Sequence, residues 1–285
     1  MVNSKKLSSV KTPNSHGTQV FSLAGKTALV TGSGRGIGNG ILRVLAEAGA
    51  DVVMNDVYRP DDIDTQLAEI TAGGCQAVFI QADVSDGQER QRLIDETVQN
   101  MGRLDILVNN AGCFFDRGWE SLNEETIRRT LDLNVIAMLL MSRLAIDHIR
   151  GAGHGGSIVN LSSVNGLVAE PGSVCYDTSK GAIMMMSKSL AVETVRDNIN
   201  VNVLCPGIVD TPLFRDLLES EEVGQAIEQA IPCGRICTPR ECGYPVLYMV
   251  SEEGRYMTGQ HIVLDGGILA IQATAMGIRN DALGN

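Results

Sequence analysis

Ser163, Tyr176 and Lys180 are the residues of this 285-residue chain whose types and spacing speak most directly to chemistry. The serine stands thirteen residues before the tyrosine, and the lysine four residues after it. If Tyr176 opens a helix, Lys180 lies one turn on along the same face, and its ammonium sits beside the phenol oxygen or beside a ligand that touches both. Such a pair works as an acid or a base. A free tyrosine titrates near about 10, and bringing it to about 7 needs about 4 kcal/mol of preference for the phenolate. A unit charge about 4 Å away at an effective dielectric near 20 contributes about 4 kcal/mol, and a helix N-terminus adds a smaller term of the same sign. Ser163 is placed to donate a hydrogen bond to the same substrate oxygen. A tyrosine and a lysine four apart also occur on ordinary surface helices, so the pair needs a second motif beside it.

Residues 26–56, KTALVTGSGRGIGNGILRVLAEAGADVVMND, carry that second motif. Residues 26–31 have the β-branched apolar run of a buried strand, Ile41, Leu42, Leu45 and Ala48 recur at helical spacing, and a second apolar run follows at 52–54. The segment reads as a parallel βαβ unit. Between its first strand and its helix stand Gly32, Gly34, Gly36 and Gly38, interleaved with Ser33, Arg35 and Ile37. Glycines there permit positive φ and let N–H groups at the helix start approach a pyrophosphate. Asp56, at the end of the second strand, is where an acidic group hydrogen-bonds a ribose diol. The spacing is TGxxxGxG rather than GxGxxG, with the same physical logic.

Taken in order, TGSGRGIG, the NNAG at 109–112, and Ser163, Tyr176 and Lys180 resemble the short-chain dehydrogenase/reductase superfamily over residues 22–267. The resemblance implies that Tyr176 is the general acid/base, that Lys180 lowers its pKa and holds the nicotinamide ribose, and that Ser163 orients the substrate oxygen. It implies that Asn134, in LDLNVIAM, supports a water chain to the lysine; a helix kink is the other role open to that asparagine. Cofactor contacts carried over are Gly32, Ser33, Arg35, Gly36, Ile37, Gly38 and Asp56 in the first unit, Asp83 and Val84 at the adenine, and Asn110, Ala111 and Gly112 after the fourth strand. Tyr176, Lys180, Pro206, Gly207, Ile208 and Thr211 complete them.

Charge decides the expected cofactor. An Asp56 carboxylate accepts from the two ribose hydroxyls of NAD and repels a 2′-phosphate, so NAD is expected and NADP disfavoured. Arg35 stands against this, since an arginine there can fork onto that phosphate; a solvated loop residue or a partner of the carboxylate are its other roles.

The formal charge of −11 and the pI near 4.8 argue against nucleic acid and anionic membranes as partners, and against an acidic carrier protein. No apolar run reaches the length of a membrane span. Residues 1–21 lack the apolar core of a secretory signal and, having lysines but no arginine, make a poor transit peptide; a flexible extension is expected. Seven scattered cysteines suit a reduced, cytoplasmic chain better than a disulfide framework. Cys233, Cys237 and Cys242 lack a CxxC pair and a fourth ligand, so no metal site is expected.

Beyond the first unit the pattern keeps alternating. Helices are predicted near 61–72, 86–101, 123–150, 173–196 and 239–250, with strands at 76–81, 104–108, 157–162, 199–205 and 260–264. Alternation of this kind makes a single-domain, Rossmann-type doubly wound parallel sheet of about seven strands with helices on both faces, its ligands at the carboxyl ends of the strands. The apolar stretches 136–141 and 182–186 cover several helix faces, and a second subunit is the natural cover for one of them; by resemblance a homotetramer or homodimer is expected. Residues 113–119 and 212–232 should face the substrate, the latter as an amphipathic lid, and the tail 268–285 runs past the DGG at 265–267.

The expected activity is hydride transfer between a secondary alcohol, or its ketone, and NAD. A sugar, sugar acid or polyol leads, an alicyclic or hydroxysteroid-like alcohol comes next, and a 3-oxoacyl substrate follows. A dinucleotide-binding sensor without turnover is the reading of another class; intact tyrosine and lysine weigh against it.

Overall fold

In the computed structural model, residues 20–115, 118–215 and 221–271 are described. Most of the expected N-terminal extension, positions 116–117, the lid residues 216–220 and the tail beyond 271 lie outside them.

Four buried residues, Thr27–Val30 (β1), start the sheet. Six more strands follow: β2 (Asp51–Asp56), β3 (Ala77–Gln81), β4 (Ile106–Asn109), β5 (Gly156–Leu161), β6 (Ile199–Pro206) and β7 (His261–Leu264). All pair in parallel, in the order β3-β2-β1-β4-β5-β6-β7. Strands buried on both faces have no solvent side to alternate with, which is why they read as unbroken apolar runs. Chain order reverses between β1 and β4, and the crevice beyond their carboxyl ends is where such sheets take ligands.

Helices α1 (Gly36–Glu47) and α9 (Gly243–Val250) cover one face, where Ile41, Leu42, Leu45, Val246 and Met249 pack on Val30, Val52 and Val159. Helices α3 (Gly87–Met101) and α5 (Met138–Ala152) cover the other, with Leu93, Ile94, Met141, Ala145 and Ile149 against Leu29, Val53, Leu107 and Ile158. The remaining helices are α2 (Ile63–Thr71), α4 (Glu124–Leu131), α6 (Val174–Thr194), α7 (Pro212–Arg215) and α8 (Glu221–Ala230). Below the sheet, buried Asp105 accepts from the Thr27 amide at 2.9 Å and from the Arg103 guanidinium, which ties the starts of β1 and β4.

Two boundaries depart from the sequence expectation. The single helix expected over 123–150 is broken: α4 and α5 are joined by a π-helical segment, Asp132–Ala137. The last helix starts as a 3-10 turn, Pro239–Cys242, and becomes α-helical only at Gly243. Phe21, assigned to the extension by sequence, packs edge-on against Tyr248 and donates its N–H to Glu253.

Helix α1 presses directly on that 3-10 turn. A Cβ at Gly40 would lie 2.3 Å from the Pro239 carbonyl carbon and oxygen, so backbone meets backbone with no room for a methyl. Gly40→Ala is expected to destabilise the protein by about 1–3 kcal/mol through overpacking, read as a lower urea midpoint.

Candidate active site

The glycine loop leaves β1 through Gly32, whose φ of +60° favours glycine. A Cβ there would stand 2.9 Å from the Ala111 Cα, so the loop rests on the backbone that leaves β4. Thr31 and Asn110 bind the two strand ends together. The Thr31 hydroxyl accepts from the amides of Asn110 and Ala111, each at 3.1 Å, and Asn110 Nδ2 donates to the carbonyls of Thr31 and Gly32 at 3.0 and 2.8 Å. Gly38 packs under Gly32: its Cβ would lie 2.5 Å from the Gly32 oxygen. Ser33 is fully buried, donating to the Val30 carbonyl at 2.7 Å, so it shapes the loop from beneath. Arg35 is exposed at the N-cap of α1, followed by Gly36 and half-buried Ile37.

Asp56 lies beside the loop. One carboxylate oxygen accepts from the Gly34 amide at 3.1 Å and the other from Val57 at 2.8 Å. Asp83 is exposed and accepts from the Ser85 amide, while Val84 is buried beneath it. From β6, Pro206 leads into Gly207, whose amide donates to the Leu264 carbonyl, and Ile208, whose carbonyl accepts from Cys237. Thr211 then caps α7 by accepting from Phe214 at 3.2 Å, and its methyl carbon would meet a Cβ on Gly36 at 3.5 Å. The loop after β6 thus closes against the glycine loop. This cradle, narrow enough to exclude Cβ atoms and lined by helix-start amides, fits the pyrophosphate of a dinucleotide.

Ser163 stands just past β5 in extended backbone and caps a 3-10 turn, Val164–Gly166, by accepting from the Asn165 amide at 3.2 Å. Tyr176, in the first turn of α6, is hydrogen-bonded by Ser163. Lys180, one turn on, is buried, donates to the Leu161 carbonyl at 3.0 Å and holds its nitrogen 5.3 Å from the Tyr176 ring centre. The three side chains meet at the end of the crevice.

Electrostatics differ from the expectation that lysine pulls the phenol down. Burial pushes the Tyr176 phenol up to about 12, aided by the Glu170 and Asp177 charges and opposed by the Ser163 hydrogen bond. Burial likewise depresses the Lys180 ammonium to about 8. Desolvation penalises the charged form of each group and is the largest cause of both shifts.

Asn134 sits in the π-helical segment, fully buried. Its Oδ1 accepts from the Cys113 amide at 2.9 Å, and its Nδ2 donates to the Cys113 carbonyl at 2.9 Å and to Ser179 Oγ at 3.0 Å. The side chain therefore pins the segment after β4 onto α6. A Cβ on Gly112 would lie 3.2 Å from Asn134 Oδ1 and 3.8 Å from Lys180 Nζ.

Sequence reading passed over several residues of this region. Asn165 Nδ2 donates to Asp177 at 2.8 Å and to Glu170 at 2.9 Å, and the Glu170 amide donates to Asp177; the network anchors the segment between Ser163 and Tyr176. Within the 113–119 segment that the sequence assigned to the substrate side, Phe114 packs edge-on against Tyr176 at 5.1 Å, and Arg129 stacks 4.3 Å over Phe115. An acidic residue directly after the tyrosine was the one visible signal. The Cys237 and Cys242 thiols are hydrogen-bonded to each other, and none of the seven cysteines is in a disulfide.

The family model described as enoyl-(acyl carrier protein) reductase matches residues 32–269. The chain belongs to the short-chain dehydrogenase/reductase family. An uncharacterized oxidoreductase of Methylorubrum extorquens is 38% identical over 86% of this chain and 98% of its own length. A cyclopentanol dehydrogenase of a Comamonas strain is 35% identical over 86% and 97%. The crystal structure of a gluconate 5-dehydrogenase from Burkholderia cenocepacia, in complex with NADP and tartrate, is 30% identical with a TM-score of 0.81, covering 88% of this chain and 98% of that one. As a family member with this fold the chain is an oxidoreductase. Among the described residues, no helix is long and apolar enough to cross a membrane.

Burial of Lys180 has a consequence for stability. The folded state surrenders this proton at about 8 and the unfolded chain near 10.5, so between those values the unfolded state binds more protons and stability rises with pH. The Tyr176 shift acts in the opposite sense only above about 10. Relative to Lys180→Met, the wild-type protein is expected to gain stability between pH 7.5 and pH about 10; urea unfolding at both pH values measures it, and a constant gap contradicts the buried charge.

Proposed function

We propose that this protein is an NAD-linked dehydrogenase of secondary alcohols, working on a small polar alcohol such as a sugar, sugar acid or polyol. The observation that carries the reading is the meeting of Ser163, Tyr176 and Lys180 at the end of a crevice shaped for a dinucleotide. When bound, the nicotinamide supplies the hydride acceptor or donor. Ser163 orients the substrate oxygen, and Tyr176 takes the hydroxyl proton in oxidation or returns it in reduction. With its phenol held up near about 12, Tyr176 carries its proton at neutral pH and can give it directly in reduction; before oxidation it must release that proton to solvent, and Lys180, depressed only to about 8 and mostly charged at neutral pH, favours the phenolate that then takes the hydroxyl proton. Asn134 holds the segment after β4 against α6 and keeps Gly112 beside the lysine.

Preference for NAD rests on Asp56, whose carboxylate is fixed by two backbone amides at the edge of the loop. A 2′-phosphate brought beside it meets like charge. The gluconate 5-dehydrogenase relative holds NADP, so the cofactor is tested by charge removal. Kinship with that enzyme supports a sugar-type alcohol, and kinship with cyclopentanol dehydrogenase supports the alicyclic alternative. We also propose a homo-oligomer through α5 and α6, which leave Met185 63% and Val192 77% exposed, with Ile136 and Leu139 also exposed.

The test is a panel of sugars, sugar acids, polyols and cyclic alcohols with NAD and with NADP, followed by absorbance of the reduced cofactor. Turnover of a sugar-type alcohol with NAD is expected; turnover confined to cyclic alcohols replaces the substrate class. Tyr176→Phe should lower kcat by about 10³-fold or more while NAD binding persists, and undiminished turnover refutes its role. Asp56→Ala should reduce the NAD over NADP ratio by at least about tenfold, since like-charge contacts cost several kcal/mol; an unchanged ratio refutes the charge argument.

A further inference from the structure

Helix α2 reaches under the glycine loop with one buried amide. Gln66 Nε2 donates to the Gly34 carbonyl at 3.3 Å and to Asp62 Oδ1 at 2.8 Å, and Gln66 Oε1 accepts from Asn39 Nδ2 at 2.7 Å. Asn39 Nδ2 also donates to the Ser33 carbonyl at 3.0 Å, and Arg43 donates to Asn39 Oδ1 at 2.9 Å. Two successive carbonyls of the loop are thus held from beneath by side chains of α1 and α2.

A peptide unit is planar and trans, so its N–H points away from its own C=O. With the Ser33 carbonyl drawn toward Asn39, the Gly34 amide faces the other way, where it donates to Asp56 at 3.1 Å. With the Gly34 carbonyl drawn toward Gln66, the Arg35 amide is turned to the open side of the loop, at the N-cap of α1. Position 34 needs this restraint. A Cβ there would stand 2.8 Å from the Asp56 carboxylate and 2.9 Å from Pro60 Cγ, so a larger residue would displace the Asp56 side chain, and the glycine that leaves it in place is the residue freest to rotate.

We propose that Gln66 is a positioning residue for the adenosine half of the cofactor: it clamps the 34–35 peptide so that the Arg35 amide and the Asp56 carboxylate are presented together to the adenosine ribose and its phosphate. The role rests on the reading of the loop as a dinucleotide site. It also extends that reading to α2, a helix to which the sequence motifs assign no contact with the cofactor.

Gln66→Met keeps the length and the apolar stem and removes both the donor and the acceptor. Calorimetric titration with ADP-ribose is expected to show affinity about tenfold weaker than wild type, about 1.4 kcal/mol. KM for NAD should rise while kcat at saturating NAD stays within about twofold. A variant that binds ADP-ribose as wild type does overturns the clamp, even if its urea midpoint falls. A loss of kcat with unchanged KM overturns it too. Should the wild-type protein itself fail to bind ADP-ribose, the dinucleotide reading falls and the clamp with it, which separates the two failures. Should the variant not fold, amide exchange in the wild-type protein decides: the Arg35 amide is expected to exchange more slowly once ADP-ribose is added, and an unaltered rate overturns the proposal.

Discussion

The close approach of two backbones at the ends of β1 and β4 is the constraint from which the rest of the site follows. Gly32 lies so near Ala111 that a Cβ does not fit between them, and Asn110 Nδ2 donates to two carbonyls of the opposite strand end. These contacts hold the crevice to a fixed width where the order of strands reverses. Because parallel strands all deliver their carboxyl ends to one edge, the loops after β2, β5 and β6 converge there too. Asp56, Ser163 and Thr211 arrive in the same place from distant stretches of chain.

Around that crevice the protein spends polar groups on geometry before it spends them on chemistry. Asn165, Glu170 and Asp177 tie the segment between Ser163 and Tyr176, Asn134 ties the segment after β4 to α6, and Gln66 and Asn39 tie the glycine loop to α2 and α1. Four of them, Asn165, Asn134, Gln66 and Asn39, are amides that donate and accept in fixed directions, which suits them to set the orientation of a peptide plane or a carboxylate. The groups positioned in this way, a phenol and an ammonium, are buried side by side, and burial moves both toward their neutral forms. Burial thus moves the two acidities apart, to about 12 for the phenol and about 8 for the ammonium from nearly equal starting values, and keeps the proton on the phenol at neutral pH.

The sheet was legible because fully buried strands carry continuous apolar runs and the helices between them carry a 3.6-residue period; β2, β3, β5 and β6 fall within a residue or two of their expected bounds. The glycine spacing, Asp56, and the serine, tyrosine and lysine are local patterns, readable one segment at a time. The break in the helix expected over 123–150 was signalled only by Asn134, for which a helix kink was one of two roles read, since apolar spacing runs through it unchanged. The π-helical turn at Asp132–Ala137 follows from Asn134 reaching across to Cys113 and Ser179, partners 21 and 45 residues away.

By itself the sequence determined the alternation of strands and helices, the glycine cradle, the charge beside it, and the types of group available for proton transfer, because each is set by residues within one or two turns of one another. Tertiary structure alone decided the acidity of those groups, the partners of Asn134 and the clamp from Gln66. Desolvation depends on what the whole fold packs around a side chain, and a hydrogen bond between α2 and the glycine loop depends on where the sheet sets two elements that share no local pattern.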